Sequence, residues 1–186
     1  MKELLLFFGL ILTFNSYSQD SVKNKTDKTF RLVFEKKSQN YFDKPFPKFE
    51  IKDSSKLIFS NTDLNNKITF INFWFKSCPP CIAEIDGFNQ MYDKLKDSSN
   101  FLFLTFTFES DATIKEFVSK YNIKYKVFHI DKDECYRLNF KNGFPTSFIL
   151  DKTGLIKFFK AGGQVEKEKA TNDVLTNIYP SILALL

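Results

Sequence analysis

Residues 70–84 read FINFWFKSCPPCIAE, and this stretch decides the fold. Residues 70–75 are apolar apart from Asn72, which is typical of a strand covered on both faces of a sheet. Beyond the second cysteine, apolar side chains recur at helical spacing, at Ile82, Ile85 and Phe88. The Cys-Pro-Pro-Cys segment is therefore predicted to lie where a buried strand ends and an amphipathic helix begins.

The position of Cys78 at the start of that helix favours thiol chemistry. A helix N-terminus presents unpaired backbone N–H groups and the positive end of the helix dipole, and both favour the thiolate form of this side chain. The thiolate is the species that attacks a disulfide. Cys81, one turn further on, is expected to be more buried and to resolve the mixed disulfide. Pro79 and Pro80 suit the first helical positions and stiffen the turn between the sulfurs.

The rest of the chain alternates between strand-like and helical segments. Strand patterns cover residues 29–34, 49–52, 57–60, 68–75, 101–108, 127–130, 147–150 and 155–159, with a hairpin turn signal at 151–154. One helical pattern follows Cys81, and a second follows Asp111, which is predicted to be its N-cap. Two more cover residues 132–140 and 165–179, and Pro180 is predicted to end the last of them. This order predicts an α/β fold with a mixed central sheet, helices on both faces and an N-terminal β extension.

The first residues have the plan of a secretory signal peptide. Lys2 precedes an apolar run at 4–14, and the triplet Ser16-Tyr17-Ser18 follows, so we expect cleavage after Ser18. The run is about half the ~20 residues that a membrane-spanning helix needs, which disfavours stable membrane insertion. Residues 1–18 are therefore predicted to be a signal peptide, 19–44 a flexible N-terminus with an extra strand, and 45–186 the folded domain.

Composition and charge disfavour several kinds of partner. Lys and Arg number 27 against 22 Asp and Glu, and the net charge of +5 is spread along the chain without a basic block. Such a surface gives no reason to expect nucleic acid or an anionic membrane as a partner. The 24 phenylalanines fall in strand-like runs, which predicts a core built of aromatic rings.

The cysteines favour redox chemistry over a structural role. A disulfide between Cys78 and Cys81 would be stable in an oxidising compartment, but so short a loop restrains the unfolded chain too little to serve as a structural clip. Cys135 is interpreted as a small buried apolar residue, with a regulatory or intermolecular thiol as the alternative. The only histidine, His129, is interpreted as a strand residue with a local hydrogen bond.

Three other kinds of site are disfavoured, and no metal is expected. A zinc site would have to use Cys78, Cys81, His129 and Cys135, whereas a structural zinc pair usually lies on a short knuckle. Copper delivery would need a histidine late in the fold, and none follows Pro145. A peroxidase would need one activated cysteine in its own Pro/Thr context, and the Cys-x-x-Cys spacing suits dithiol exchange better.

The stretch around the cysteines resembles the active-site segment of thioredoxin-like proteins, specifically the exported TlpA/ResA-like branch. The matching residues are Asn72, Phe73, Trp74, Cys78, Pro80, Cys81 and Glu84. Gly143-Phe144-Pro145-Thr146 resembles the cis-proline loop of that family, and residues 46–49 (FPKF) resemble its N-terminal motif. The resemblance covers residues 45–165 and implies a thioredoxin fold for the domain at 45–186.

The resemblance also implies roles for residues around the cysteine pair. Pro145 would be cis and lie against the two sulfurs, and with the Phe144 backbone it would shape the groove where a substrate strand pairs. Glu84 would be a partly buried acid near Cys81 that assists proton transfer, and the alternative is an exposed first-turn acid that pairs with the helix dipole. The remaining supporting residues are Trp74, Pro79 and Pro80.

The chain departs from the family pattern at three positions. Ser77 stands where an aromatic residue usually precedes the first cysteine, so the wall that faces the substrate is expected to be more open. Asp86 stands where a kinking proline often follows the glutamate. Asn72 replaces the buried aspartate of cytosolic thioredoxins, so a proton-transfer role at that position has no support.

Together these features predict a monomeric thiol–disulfide oxidoreductase that works in the periplasm or elsewhere outside the cytoplasm without a cofactor. Its partners would be cysteine-containing exported proteins. By resemblance, reduction is the favoured direction, with apocytochrome c as one substrate and a membrane dithiol donor as the electron source. The alternatives are a disulfide oxidase or isomerase, and a non-catalytic binding module on the same scaffold.

Overall fold

The computed structural model of the chain describes residues 39–52 and 58–186. Seven strands lie in this range: β1 (Glu50–Lys52), β2 (Ile58–Ser60), β3 (Ile68–Phe73), β4 (Phe101–Thr107), β5 (Val127–His129), β6 (Thr146–Leu150) and β7 (Ile156–Ala161). The α-helices are α1 (Pro79–Leu95), α2 (Asp111–Tyr121), α3 (Lys132–Leu138), α4 (Lys167–Asp173) and α5 (Tyr179–Leu183). None of the helices described here is long and apolar enough to cross a bilayer.

Five of the strands form the mixed central sheet, in the order β5-β4-β3-β6-β7. β3, β4 and β5 run parallel, whereas β6 is antiparallel to β3 and β7 is antiparallel to β6. Every residue of β3 and β6 is buried, and for β3 this confirms the prediction from its nearly continuous apolar run. Because β3 and β4 run parallel, their carboxyl ends meet at one edge of the sheet, and α1 begins there.

Aromatic rings fill the core on both faces of this sheet. On the face that carries α1, the ring of Phe70 lies 4.9 Å from that of Phe103 and 5.3 Å from that of Phe88. On the opposite face, Phe148 lies 6.3 Å from Phe73 and 5.6 Å from Phe46 of the N-terminal segment. The phenylalanine-rich composition is thus used in packing.

The N-terminal β extension is a separate two-stranded antiparallel sheet of β1 and β2, with Glu50 opposite Ser60. The predicted domain bounds stay predictions, and the compact unit of the structure begins at Tyr41. The reason is that the Tyr41 ring lies 4.7 Å from that of Phe159, and the Asp43 N–H donates to the Ile156 carbonyl. The strand predicted at 29–34 and the signal peptide predicted at 1–18 lie outside the described residues and remain predictions.

Two predicted helix ends were wrong. The cap of α2 is Ser110 and not Asp111, because the Ser110 hydroxyl accepts the Thr113 N–H. The C-terminal helical segment does not end at Pro180, which occupies the first turn of α5 after a π-helical turn at Val174–Ile178. In the π-helical turn the Tyr179 N–H donates to the Val174 carbonyl, five residues back, and the helical segment continues through Pro180 beyond this turn.

Candidate active site

The two cysteines of the motif are joined by a disulfide at the N-terminus of α1, with their Cα atoms 5.2 Å apart. Cys78 is the N-cap of the helix, and Pro79 and Pro80 fill its first positions as the sequence predicted. The Cys81 N–H donates to the Cys78 sulfur at 3.3 Å. This N–H and the helix dipole are the two features that stabilise negative charge on Cys78 when the disulfide opens.

The order of burial of the two cysteines differs from the prediction. Cys78 is 2% exposed and Cys81 is 6% exposed, so the resolving cysteine is not the more buried one. Both cysteines belong to the main core cluster, against which the half-buried rings of Phe75 and Phe144 also pack.

The loop before β6 holds the cis peptide that the resemblance implied, between Phe144 and Pro145. Gly143 has φ +79°, a conformation that favours glycine, and its carbonyl accepts the Thr146 hydroxyl at 2.7 Å and the Asn139 side-chain N–H at 3.1 Å. The Pro145 carbonyl accepts the Gly162 N–H at 2.8 Å. The loop is thus fixed to α3 on one side and to the end of β7 on the other.

Four half-buried rings form what we call the aromatic rim beside this loop: Phe75, Phe108, Tyr136 and Phe144. The Phe144 ring lies 5.4 Å from Phe75, 5.7 Å from Phe108 and 5.6 Å from Tyr136. Of these four rings, only Phe144 was predicted from the sequence to lie at the site. Phe75 and Phe108 come at the ends of the apolar runs that form β3 and β4. Because these two strands are adjacent and parallel, the ends of their runs lie at the same edge of the sheet, and this is the signal that could have located both rings.

Glu84 is buried in the first turns of α1, with 1% exposure, so the exposed-acid alternative does not describe it. The Lys160 ammonium of β7 donates to Glu84 Oε1 at 2.7 Å. The same ammonium pairs with Asp173, the last residue of α4. We call Glu84, Lys160 and Asp173 the acid cluster, because it holds two carboxylates around one cation.

Burial is the largest influence on the pKa of Glu84 and raises it, and Lys160 offsets only part of that effect. For Lys160 burial alone would lower the pKa, but the two carboxylates outweigh burial and raise it. Lys160 therefore keeps its charge, while Glu84 takes up a proton more readily than an exposed glutamate. The second carboxylate oxygen, Oε2, is buried and has no hydrogen-bond partner in the described part of the chain.

Gly163 brings the acid cluster next to the cis-proline loop. A Cβ added at this residue would lie 3.0 Å from Glu84 Oε1 and 3.2 Å from Pro145 Cγ. The carboxylate and the proline ring therefore flank the same glycine. Because Glu84 follows Cys81 by three residues on α1, both side chains also share one face of that helix.

Two buried residues of the segment that precedes Cys78, Asn72 and Trp74, carry no charge. Asn72 is 3% exposed, and its side-chain N–H donates to the Ser147 hydroxyl at 3.0 Å. Trp74 is buried, and its ring stacks on that of Phe117 at 4.5 Å. Glu84 is thus the acid that the structure places in the core close to the cysteine pair.

Two of the departures from the family pattern have visible consequences. Next to Ser77 lies an open cavity of about 220 Å³, which Thr113, Phe117 and Lys120 also line. Such an opening was expected where a small residue replaces an aromatic one. The Asp86 side chain is 46% exposed and pairs with Lys167 at 2.6 Å, which joins α1 to α4 at the surface.

The other candidate residues lie outside this constellation. Cys135 is fully buried, and burial raises the pKa of its thiol to about 12, which fits the apolar interpretation. His129 is a strand residue as predicted, the last of β5, but its hydrogen bond is not local: its Nδ1 is 2.8 Å from the carbonyl oxygen of Glu109, 20 positions away along the chain. Within residues 39–52 and 58–186, no three His, Cys, Asp or Glu side chains are grouped to hold a metal.

Comparison with known proteins agrees with this geometry. The profile of the AhpC/TSA family matches residues 42–159. The thiol-disulfide oxidoreductase ResA of Bacillus thuringiensis (strain Al Hakam) is 31% identical over 140 residues, which cover 75% of this chain and 80% of that protein. The thiol-disulfide oxidoreductase YkuV of Bacillus subtilis (strain 168) is 32% identical over 119 residues, covering 60% of this chain and 80% of YkuV.

A solved structure extends the likeness to the fold. The thiol:disulfide interchange protein of the thioredoxin family from Chlorobium tepidum TLS superposes with a TM-score of 0.57 at 26% identity, over 72% of this chain and 94% of that one. The chain therefore belongs to the AhpC/TSA family, and it is a thiol–disulfide oxidoreductase with a thioredoxin-like fold.

Proposed function

We propose that Cys78 and Cys81 are the redox couple of this enzyme and that it reduces disulfides in proteins outside the cytoplasm. The observation that carries the proposal is the Cys78–Cys81 disulfide at the N-terminus of α1. A helix N-terminus is where a cysteine thiolate is stabilised, and the cis Pro145 loop and the aromatic rim border the same site. The pair thus has both an activated sulfur and a surface for a polypeptide.

The first step of the cycle starts from the reduced pair. The Cys78 thiolate attacks one sulfur of the substrate disulfide, a bond forms between these two sulfurs, and the substrate disulfide breaks. The second substrate sulfur leaves with the electron pair of the broken bond and takes a proton from solvent. The Cys81 N–H, which points at the Cys78 sulfur, stabilises the attacking thiolate before this step.

The second step releases the substrate. Cys81 loses its thiol proton, its sulfur attacks the Cys78 sulfur, and the enzyme disulfide forms while the remaining substrate sulfur leaves as a thiolate. Glu84 accepts the Cys81 proton in this proposal, as its position three residues further along α1 and its raised pKa favour. The substrate gains two electrons, and the enzyme loses them.

The aromatic rim and the cis-proline loop are proposed to hold the substrate segment. The segment would lie across the Phe144–Pro145 backbone, with apolar side chains next to its cysteine packed on the half-buried rings. The open cavity beside Ser77 would accept a further side chain on the other flank of Cys78. Both features favour extended cysteine-containing polypeptides over small thiols.

The location and the electron supply are proposed from the predicted signal peptide and from the family resemblance. A chain exported by residues 1–18 would act as a monomer in the periplasm or an equivalent compartment, on cysteines of exported proteins such as apocytochrome c. Its oxidised pair would then be reduced by a membrane dithiol donor, which supplies the two electrons used in each cycle. No stable membrane insertion and no cofactor are needed in this scheme.

Trapping of the mixed disulfide tests the role of the pair. In a Cys135→Ala background, Cys81→Ser is incubated with a peptide that contains one disulfide, and adducts are identified by intact mass and peptide mapping. We expect a stable adduct at Cys78, because the resolving sulfur is missing. The matched variant Cys78→Ser should form far less adduct. Absence of an adduct with Cys81→Ser would reject the catalytic proposal in favour of a binding module.

A further inference from the structure

The acid cluster joins three elements behind the cysteine pair. Glu84 comes from α1, Lys160 from β7 and Asp173 from the end of α4, and their side chains are 1%, 17% and 24% exposed. Lys160 donates to Glu84 Oε1 at 2.7 Å and also to Asp173. With every member ionised, the cluster holds two negative charges around one positive charge.

A buried pair of Glu84 and Lys160 alone would suit proton transfer poorly. Protonation of the glutamate would leave the lysine charge buried and unpaired, which is strongly unfavourable, so such a pair would keep the glutamate ionised. Asp173 changes this balance, because Lys160 keeps a partner whether Glu84 is charged or neutral. The third residue thus removes the main electrostatic obstacle to protonation of Glu84.

We infer that Lys160 and Asp173 are positioning residues: Lys160 holds Glu84 in place through Oε1, and Asp173 lets the same carboxylate gain and lose the proton of Cys81. This inference rests on the proposed function. When the Cys78–Cys81 bond forms, the Cys81 proton moves to Glu84, and Oε2, which is buried without a hydrogen-bond partner in the described residues, is the oxygen free to take it. When the pair is reduced again, the proton returns to the Cys81 sulfur.

Four groups face or influence Glu84, and three of them bear on its charge. Lys160 favours its ionised form and Asp173 favours its neutral form. Cys81, three residues earlier on α1, is the group with which Glu84 exchanges the proton in this proposal. The fourth is Tyr125, which precedes β5: burial, with a smaller contribution from Glu84, raises the pKa of this phenol. The phenol therefore stays neutral and does not compete for the proton.

The test compares Lys160→Met and Asp173→Asn in the full chain, because the inference predicts opposite effects. The Glu84 carboxyl carbon is followed by ¹³C NMR during pH titration of the oxidised and reduced forms, with Glu84→Gln for assignment. Lys160→Met should raise the pKa of Glu84, and Asp173→Asn should lower it. Lys160→Arg should restore the original titration. Asp86→Asn, which removes an exposed carboxylate of α1, should leave it unchanged.

Kinetics supply the second readout. The release step needs ionised Glu84, so its rate should fall as the pH drops below the pKa of Glu84. The pH of half-maximal rate should therefore move upward in Lys160→Met and downward in Asp173→Asn. Each shift should be about one pH unit or more, which is a tenfold change in proton concentration. Shifts in the same direction, no shift in Asp173→Asn, or an NMR shift that the rate does not follow would each overturn the inference. If the unmodified enzyme exchanges no disulfide at all, the proposed function fails, and the NMR titration still reports on the cluster separately. If Lys160→Met does not fold, Asp173→Asn alone decides, because a purely structural role predicts no downward shift.

Discussion

Gly87 lies where α1 meets the C-terminal helical segment, and its replacement by alanine tests that contact. An added Cβ would lie 2.8 Å from Val174 Cβ, 3.1 Å from Val174 Cγ2 and 3.2 Å from Thr171 Cα. Ordinary carbon contacts are about 3.5–4.0 Å. Because two of these neighbours are a Cβ and a backbone Cα, rotation of a side chain cannot relieve the overlap, and the two helices must move apart.

The magnitude follows from two opposing effects. Overpacking of a well-packed interior costs about 1–3 kcal/mol. Alanine in a helix interior gains about 1 kcal/mol over glycine, because the unfolded glycine has more freedom to lose. We therefore expect Gly87→Ala to lower the free energy of unfolding by about 1 kcal/mol, within a range of about 0–2 kcal/mol.

Urea unfolding of the oxidised protein, followed by far-UV circular dichroism, measures this difference. The propensity effect is measured separately on the exposed Gln90 of the same helix, by comparing Gln90→Ala with Gln90→Gly. At that position alanine should be the more stable residue by about 1 kcal/mol. If Gly87→Ala stabilised the protein by the same amount as that reference difference, the close packing of α1 on the C-terminal segment would be refuted.

Three further predictions concern the hairpin, the aromatic rim and the buried thiol. Burial alone would raise the pKa of Asp151, but hydrogen bonds from Thr153 and Leu155 outweigh burial and lower it. The ionised carboxylate therefore stabilises the fold above pH ~4, and this stabilisation is lost as the pH falls through the lowered pKa. Asp151→Ala should therefore lower the free energy of unfolding by about 2 kcal/mol at pH 7, and Asp151→Asn by less. In thermal melts at acidic pH, both variants should approach the unmodified protein. A difference as large at acidic pH as at pH 7 would contradict a stabilising role of the ionised carboxylate. Phe108→Ala should raise KM for a protein disulfide about tenfold, and more than KM for a small disulfide, whereas equal changes would argue against a polypeptide-binding rim. Because burial raises the pKa of Cys135 to about 12, iodoacetamide at pH 8 should label it only after unfolding, and labelling of the native protein at the rate of Cys78 would show the burial to be wrong.

Local sequence patterns were sufficient for the elements around the cysteines. The apolar run before Cys78 and the helical repeat after Cys81 placed β3 and α1, because one strand and one helix each bury a continuous face. The hairpin at 151–154 was equally readable, since its turn chemistry is local. The cis peptide before Pro145 was expected from resemblance, and no pattern of hydrophobicity encodes it.

The residues that sequence reasoning missed depend on contacts between distant segments. Lys160 meets Glu84 across 76 positions of the chain, so the pairing depends on the register of β7 and not on any short motif. Asp173 joins them from the end of α4, 13 positions after Lys160, and no short motif links it to either residue. The chain also continues in a helical conformation past Pro180, after a π-helical turn at Val174–Ile178. A local rule for proline predicted a helix end there, and tertiary packing overrode that rule.

The burial of Cys78 was misjudged for a related reason. A nucleophile at a helix N-terminus is expected at the surface, but Cys78 belongs to the main core cluster, against which Phe75, three residues earlier, and Phe144 of the cis-proline loop pack. The loop reaches this place because β6 is antiparallel to β3, with Thr146 opposite Phe73. The chemistry of the pair could thus be predicted, whereas its enclosure could not.

The most direct test of the account is a redox titration of the full chain in defined dithiol buffers. Trp74, the only tryptophan, lies close to the pair and should report the transition by fluorescence, with alkylation and mass spectrometry to count the free thiols. We expect a two-electron transition confined to Cys78 and Cys81, with a midpoint of about −250 mV or lower, as a reductase requires. A midpoint of about −120 to −180 mV would reverse the direction to oxidation or isomerisation, and a transition without loss of the Cys78–Cys81 bond would contradict the central claim.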